Sequence, residues 1–448
     1  MARKSRLRTE LAKALDALKA DIVHVGLFDY ASMFRERRLH RDDLLAGAET
    51  AVFANVLPKW DSADNILFPG PYGSETVAYD ITSLRPYPFE KNAAALVADY
   101  TGPQAAIMPR RVLAGQIAKA DGLGLDVLAA CEFEFLVLNE TAESLRAKSF
   151  SSLAPFAPDN HCWSGQTAAA HASFVAELEE CLAGADIGLF SLSVELGPGC
   201  FEATLKHRNA MRAADDAAFF RMFTKAFCRR RNLTASFMSL TGDGFPGIGG
   251  HINLSLRDRR TGRNLFADRT DENGLSAAAK SFLAGLIEIV PEVFPMIGNT
   301  VNAYRRLAPG SWAPKTVSWA PYNYAAAVRT AAETEEMTRL ELRLPGSDLN
   351  PHLAMAAMLG AGLDGLDRKL ELDTAPIRSG GPNEIPPGAE RLPVDLLDAA
   401  KRFRASARAR LLFGDAFVDH YAAVCEAEDT ALRKAVSAAE LRRYLEAG

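Results

Sequence analysis

Cys131-Glu132-Phe133-Glu134-Phe135-Leu136-Val137-Leu138 is the stretch on which the fold reading turns. Side chains alternate along an extended chain. As a strand it therefore sets Glu132 and Glu134 on one face and Phe133, Phe135 and Val137 on the other. Two further stretches are built alike. His251-Ile252-Asn253-Leu254-Ser255-Leu256 lines up His251, Asn253 and Ser255, and Arg339-Leu340-Glu341-Leu342-Arg343-Leu344 lines up Arg339, Glu341 and Arg343. A fourth, Glu195-Leu196-Gly197-Pro198-Gly199-Cys200-Phe201-Glu202, spaces two carboxylates around a Gly-Pro-Gly turn. Polar faces concentrated in Glu, His and Arg differ from the Thr, Ser and Lys of an ordinary solvated strand. Carboxylates with one imidazole suit a divalent cation such as Mg2+ or Mn2+, and nearby arginines suit phosphate or carboxylate groups.

The chain has 448 residues, enough for a large core and two domains. Its net charge of −5 gives no sign of a nucleic-acid partner. The basic start, Ala2-Arg3-Lys4-Ser5-Arg6, lacks the apolar core of a signal peptide, and the small-apolar run Leu353 to Leu363 is too short to span a bilayer. Six scattered cysteines without a CxxC pair read as reduced thiols, mostly in the core, of a cytoplasmic protein.

Hydrophobic spacing predicts helices over 7–20, 41–57, 112–122, 171–184, 208–231, 276–289, 351–370, 393–412 and 414–445. Strands are expected over 22–28, 75–81 and 94–100, forming a small sheet-rich domain that ends near Pro109-Arg110. Residues 141–170 read as a polar, irregular insertion, 242–250 as a glycine-rich loop, 305–322 as loop and 376–391 as a surface loop. Asp29, closing the first strand, taken alone reads as a turn or cap residue. His161, His171, His207 and His352 read as structural or surface residues.

In chain order these motifs resemble the glutamine synthetase superfamily. The matching pieces are Glu132-Phe-Glu134-Phe, Glu195-Leu-Gly-Pro-Gly-Cys-Phe-Glu202, Gly247-Ile-Gly-Gly-His251, Asn302-Ala-Tyr-Arg-Arg306-Leu-Ala-Pro-Gly310, and Arg339-Leu-Glu341-Leu-Arg343-Leu-Pro followed by Asn350-Pro-His. The resemblance implies an α+β fold. An N-terminal β-grasp domain (1–109) would precede a catalytic domain (110–448) whose antiparallel strands form a funnel. It implies a homo-oligomer of stacked hexameric rings with active sites shared between neighbours, and two or three Mg2+ or Mn2+ per site with ATP as co-substrate. Glu134, Glu195 and Glu202 would hold one cation, and Glu132, His251 and Glu341 the cation on the ATP phosphates. Arg343 would stabilise an acyl phosphate, Arg306 would grip the amino-acid carboxylate, and Arg329 would contact nucleotide phosphates. Gly247, Asn253, Ser255, Trp312 and Tyr324 would lie among the substrate and nucleotide contacts. Asp29 would help bind the ammonium from an adjacent subunit.

Departures from the family bear on the substrate. Trp312 stands where glutamine synthetases carry a flap glutamate, Asn253 where a second histidine is usual, and Tyr324 where an arginine is usual. Cys200 replaces a glutamine, Leu240 a lysine and Ser32 a glycine. A flap tryptophan resembles the γ-glutamylpolyamine and γ-glutamylalkylamide synthetases. There an aromatic face could add about 0.5–2 kcal/mol toward a cationic amine; the alternative is a packed residue that excludes water. The expected activity is therefore joining a glutamate-like γ-carboxylate to an amine through an acyl phosphate. An ammonia-using glutamine synthetase and a catalytically silent metal- or nucleotide-binding relative stand as alternatives.

Overall fold

The structure is a computed structural model and describes residues 2–242, 244–307, 313–378 and 390–446. The N-terminal part is a five-stranded sheet ordered Phe34–His40, Ile22–Phe28, Ala93–Tyr100, Ser74–Pro86, Val52–Ala54. Ile22–Phe28 runs parallel to Ala93–Tyr100, and the other pairings are antiparallel. Alternation along Ala93–Tyr100 feeds two cores. Ala94, Leu96 and Ala98 pack with Leu11 and Leu15 of the Ala2–Leu18 helix, whereas Ala95 and Val97 join the main core on the opposite face. The sheet is buried on both sides because a helix covers one face and the rest of the protein covers the other. This arrangement is of the β-grasp type.

A buried ionic junction ties this sheet to the rest of the chain. Arg110, in the first turn of the Pro109–Gly122 helix, donates to Asp215 of the Ala210–Arg229 helix at 2.9 and 3.0 Å and also bonds Asp80 and Asp99 of the N-terminal sheet. His352 reaches the same Asp215 at 2.9 Å, and the fully buried Arg85 pairs with Asp216 at 2.7 Å. Arg208 and Arg212 also reach Asp216, so four arginines answer the four aspartates, as buried ions require.

The second sheet follows the path Trp319–Pro321, Val328–Ala331, Arg339–Leu342, Gly250–Asp258, Leu125–Leu138, Cys200–Leu205, Leu189–Val194. Thr234–Ser236 and Arg208–Asn209 also pair with Leu125–Leu138. Apart from the parallel Trp319–Pro321 and Val328–Ala331 pair, its neighbours are antiparallel. Phe133 and Phe135 turn toward the Ala210–Arg229 helix, where Phe133 stacks on Phe220 at 5.4 Å. Behind lies the Pro351–Arg368 helix, packed closely on the Ala277–Ile289 helix. A Cβ on Gly365 would come within 2.2 Å of the Ser281 carbonyl oxygen, so that contact admits only glycine.

Several predicted boundaries change. Residues 41–57 are not one helix. The helix stops at Gly47, and Val52–Ala54 pairs as an edge strand with Ser74–Thr76. The Phe34–His40 strand was not expected, because its run of charges looks like a solvated loop; as the other edge of the sheet it needs those charges. The insertion at 141–170 carries two short helices, Ala142–Ala147 and Gly165–Ala170, capped by Thr141 and Ser164. Within 305–322, Trp319–Pro321 is a strand. The expected helix over 393–412 divides at Ser406, which caps Ala407–Phe413, and that over 414–445 divides before Ser437, whose capping box with Glu440 starts Ala438–Tyr444. Among the described residues no helix is long and apolar enough to cross a membrane.

Candidate active site

The strand register gathers the polar faces. On the Leu125–Leu138 strand, Glu132 lies directly opposite His251, and Glu134 directly opposite Glu202. Asn253 lies opposite Glu341, which in turn lies opposite Arg329. Residues far apart in sequence thus become cross-strand neighbours on one face, about 4.5–5.5 Å apart at Cβ. Glu195 enters from the Gly-Pro-Gly turn, where Gly197 and Gly199 adopt positive φ and the Glu195 N–H donates to the Cys200 carbonyl.

Glu132, Glu202 and His251 offer ligand atoms within 4.8 Å of one another. This group draws on both of the expected ligand triplets, so the two triplets are contiguous. His251 Nδ1 lies 3.4 Å from Glu132 and 3.5 Å from Glu341, and its Nε2 lies 3.9 Å from Glu134. That Nε2 is buried without a hydrogen-bond partner among the described residues. Burial, together with the Arg343 charge, holds the His251 pKa well below the usual value, so the ring is neutral and keeps a lone pair. Burial, together with Glu132, Glu134 and Glu195, pushes the Glu202 carboxyl up to about 8. Burial likewise raises Glu134, although Arg306 and the Gly249 N–H, which donates at 2.7 Å, favour its charged form. Like charges facing each other across a ladder destabilise a sheet unless a cation lies among them. The orphaned imidazole nitrogen and the crowded carboxylates therefore fit a divalent cation.

Arginines border the cluster. Arg343 donates to Glu341 at 2.5 Å and Arg329 pairs with the other oxygen of Glu341. Tyr324 is not a stray exposed ring, since the Arg329 and Arg343 guanidiniums lie 4.7 and 5.3 Å from its centroid and Arg343 donates to its carbonyl. Arg306 is buried and donates to the Leu344 and Arg343 carbonyls, and burial brings its pKa down to about 10. Asn253 donates to Glu132 at 2.9 Å and accepts from Arg339 at 3.0 Å, so this substituted position orients a carboxylate. Gly247 packs against the Arg306 side chain, where a Cβ would come within 3.1 Å. Among the described residues Asp29 shares no hydrogen bond or ion pair with this cluster. It is buried, paired with Arg35 at 2.6 Å and capped by the Met33 N–H. Trp312, the expected aromatic flap residue, lies outside the described residues.

Beside the cluster opens a cavity of about 840 Å3. Glu132, Asn253, Ser255 and Arg339 line its inner side; Phe190, Lys206, His207, Arg208 and Arg257 line the remainder. Ser255 is thus a wall residue, and His207, expected to be a structural or surface residue, is exposed on the same cavity. Sequence reasoning also missed Cys162 and Trp163. These insertion residues bond Glu195 across more than thirty positions of chain.

The profile of the glutamine synthetase catalytic domain matches residues 106–444. The chain is 32% identical to type-1 glutamine synthetase 2 of Dictyostelium discoideum, over 96% of this chain and 84% of that protein. It is 31% identical to a glutamate–isopropylamine ligase of Pseudomonas sp, over 95% of each. It is 30% identical to the γ-glutamylethanolamide synthetase GlnA4 of Streptomyces coelicolor, over 84% of this chain and 80% of that protein. Among solved structures, GmaS in its ADP complex superposes with a TM-score of 0.83 at 26% identity, covering 97% of this chain and 99% of that one.

Proposed function

The chain belongs to the glutamine synthetase family of ATP-dependent ligases, and from that premise we propose that it joins the γ-carboxylate of glutamate to a small organic amine, with ammonia the poorer nucleophile. The carrying observation is the carboxylate–imidazole cluster beside an open cavity, on a chain similar to named glutamate–amine ligases. Glu134, Glu195 and Glu202 would hold one Mg2+ or Mn2+, and Glu132, His251 and Glu341 a second. When bound, such cations neutralise the triphosphate and stabilise charge on the transferred phosphoryl group. The cavity is the size of ligand sites for molecules such as ATP, with Ser255 and Asn253 on the side nearest the cluster.

A glutamate γ-carboxylate oxygen attacks the γ-phosphorus of ATP, the bond to ADP breaks, and an acyl phosphate forms. The amine nitrogen then attacks the acyl carbon, phosphate leaves with its bonding electrons, and the nitrogen gives up a proton. Arg343 and Arg329, already fixed on Glu341, present positive charge to the phosphate-bearing side without reorganising. Arg306 places a buried positive charge near Glu134 and would face the amino-acid carboxylate. The attacking amine must be neutral, so a nearby carboxylate has to accept its proton. The stacked-ring oligomer and a shared Asp29 belong to the same proposal; Asp29 would need to release Arg35 to act there.

Phosphate release with glutamate, ATP, Mg2+ and a panel of amines tests this reading. Release with short alkylamines or ethanolamine above that with ammonium is the expected result. Ammonium as the best nucleophile would make the protein a glutamine synthetase, and no release despite nucleotide binding would make it a silent relative.

A further inference from the structure

Within the described residues, the side chains that bond Glu195 come from the insertion at 141–170. Trp163 Nε1 donates to one carboxylate oxygen at 3.1 Å and Cys162 Sγ lies 3.3 Å from the other. The insertion is fixed to the Gly-Pro-Gly turn at several points. Asn160 Nδ2 donates to the carbonyls of Glu195 (2.6 Å), Gly197 (3.0 Å) and Cys200 (3.2 Å), and the Gly199 N–H donates to the Ala157 carbonyl at 2.8 Å. Ser164 then caps the next helix by accepting from the Thr167 N–H. Trp163 itself sits at φ 54°, a left-handed conformation unusual for a bulky residue. Despite this fixation its side chain is not packed. Trp163 is 70% exposed, and its ring stands next to the carboxylate cluster.

A ring held by its N–H on an acidic group, with its face open, is a site for a cation that carries hydrocarbon. We infer that Trp163 is a specificity-determining residue that receives the alkyl portion of the amine substrate while the carboxylate cluster beside it attracts the ammonium end. This rests on the amine-ligase reading above. Trp163 would add a second aromatic contact, from the insertion, to the one expected of Trp312. Both cations are attracted by the ring face, but only an alkylammonium also removes apolar surface from water against it, which favours it over ammonium. The indole N–H, in turn, keeps the Glu195 carboxylate turned into the site.

Two variants test the inference in the full-length protein. Trp163→Ala should lower kcat/KM for isopropylamine about tenfold more than for ammonium, chiefly through KM for the amine. Trp163→Phe keeps a ring face but loses the N–H, and should keep most of the alkylamine preference. Equal losses toward both nucleophiles would show that Trp163 only positions Glu195, and an unchanged preference would remove it from the site; either overturns the inference. A binding measurement decides the matter even if no amine is turned over. Isopropylammonium added with Mg2+ should change the tryptophan fluorescence of the wild type and leave that of Trp163→Phe unchanged. The same response in both proteins would overturn the inference independently of the ligase reading.

Discussion

Two buried charge clusters in this protein obey opposite rules. At the junction between the N-terminal sheet and the helices, Arg85, Arg110, Arg208 and Arg212 meet Asp80, Asp99, Asp215 and Asp216, with His352 on Asp215. Arg110, with the His352 hydrogen bond, holds the Asp215 pKa below the usual carboxylate range despite the opposing effect of burial. On the polar face of the second sheet, Arg329 and Arg343 are both committed to Glu341, and Glu132, Glu134, Glu195 and Glu202 crowd together. There burial and the neighbouring carboxylates act together to push the Glu202 carboxyl up, whereas at the junction the raising effect of burial on Asp99 and Asp216 is opposed by arginines. The junction neutralises itself, whereas the site leaves negative charge over. Surplus charge that a fold does not settle internally marks where a ligand is meant to bind.

The largest expected effect lies at the junction. Arg110→Met leaves Asp215 buried with only His352, and should cost about 3–5 kcal/mol, read as a lower urea midpoint at an unchanged slope. A midpoint equal to that of the wild type would dissolve the contrast between the clusters. Next, Glu341→Ala should lower kcat for ligation by about 10²–10³, because it removes a candidate cation ligand and releases both arginines from their fixed geometry. Full activity in that variant would contradict the assignment of the second triplet.

The contrast is sharpest at Glu202. With no cation present, Glu202→Gln relieves repulsion instead of breaking a pair, so the metal-free melting temperature should rise by about 2 °C. Stabilisation by added Mg2+ or Mn2+ should be lost in the same protein. A lower melting temperature would mean that the carboxylates are already balanced. The smallest effect concerns His24, stacked on Tyr87 and bonded to Glu36 and Glu90 in the N-terminal sheet. Burial alone would lower its pKa, but hydrogen bonds and charge from the two glutamates more than offset that and raise it. The protonated form is therefore favoured in the folded state. The stability it contributes is fully present below the unfolded value of about 6.5 and is lost as pH rises through the raised folded value. His24→Gln should flatten the fall of the urea midpoint as pH rises above about 6.5, and an unchanged profile would exclude His24 as its source.

Much of the site could be read from sequence because strand alternation is local. Glu132 with Glu134, His251 with Asn253 and Ser255, and Glu341 with Arg343 each declare a common face within a few residues. Their register is not local, so the pairings of Glu132 with His251 and of Glu134 with Glu202 appear only in the structure. The Phe34–His40 strand stayed hidden because edge charges imitate a loop, and the helix expected over 41–57 ran too far because Val52, Phe53 and Leu57 fit either period. The breaks at Ser406 and at Ser437 with Glu440 carried legible cap signals that the long apolar periodicity overrode. Cys162 and Trp163 sit in a segment without periodicity, and no pattern in sequence points such residues at Glu195.

Titration of the metal-stripped protein with Mn2+, followed by electron paramagnetic resonance or calorimetry, tests the central claim most directly. The account predicts saturable binding in the wild type that is lost or strongly weakened in Glu202→Gln and in His251→Ala. Failure of the wild type to bind Mn2+ or Mg2+, or undiminished binding in both variants, would contradict it.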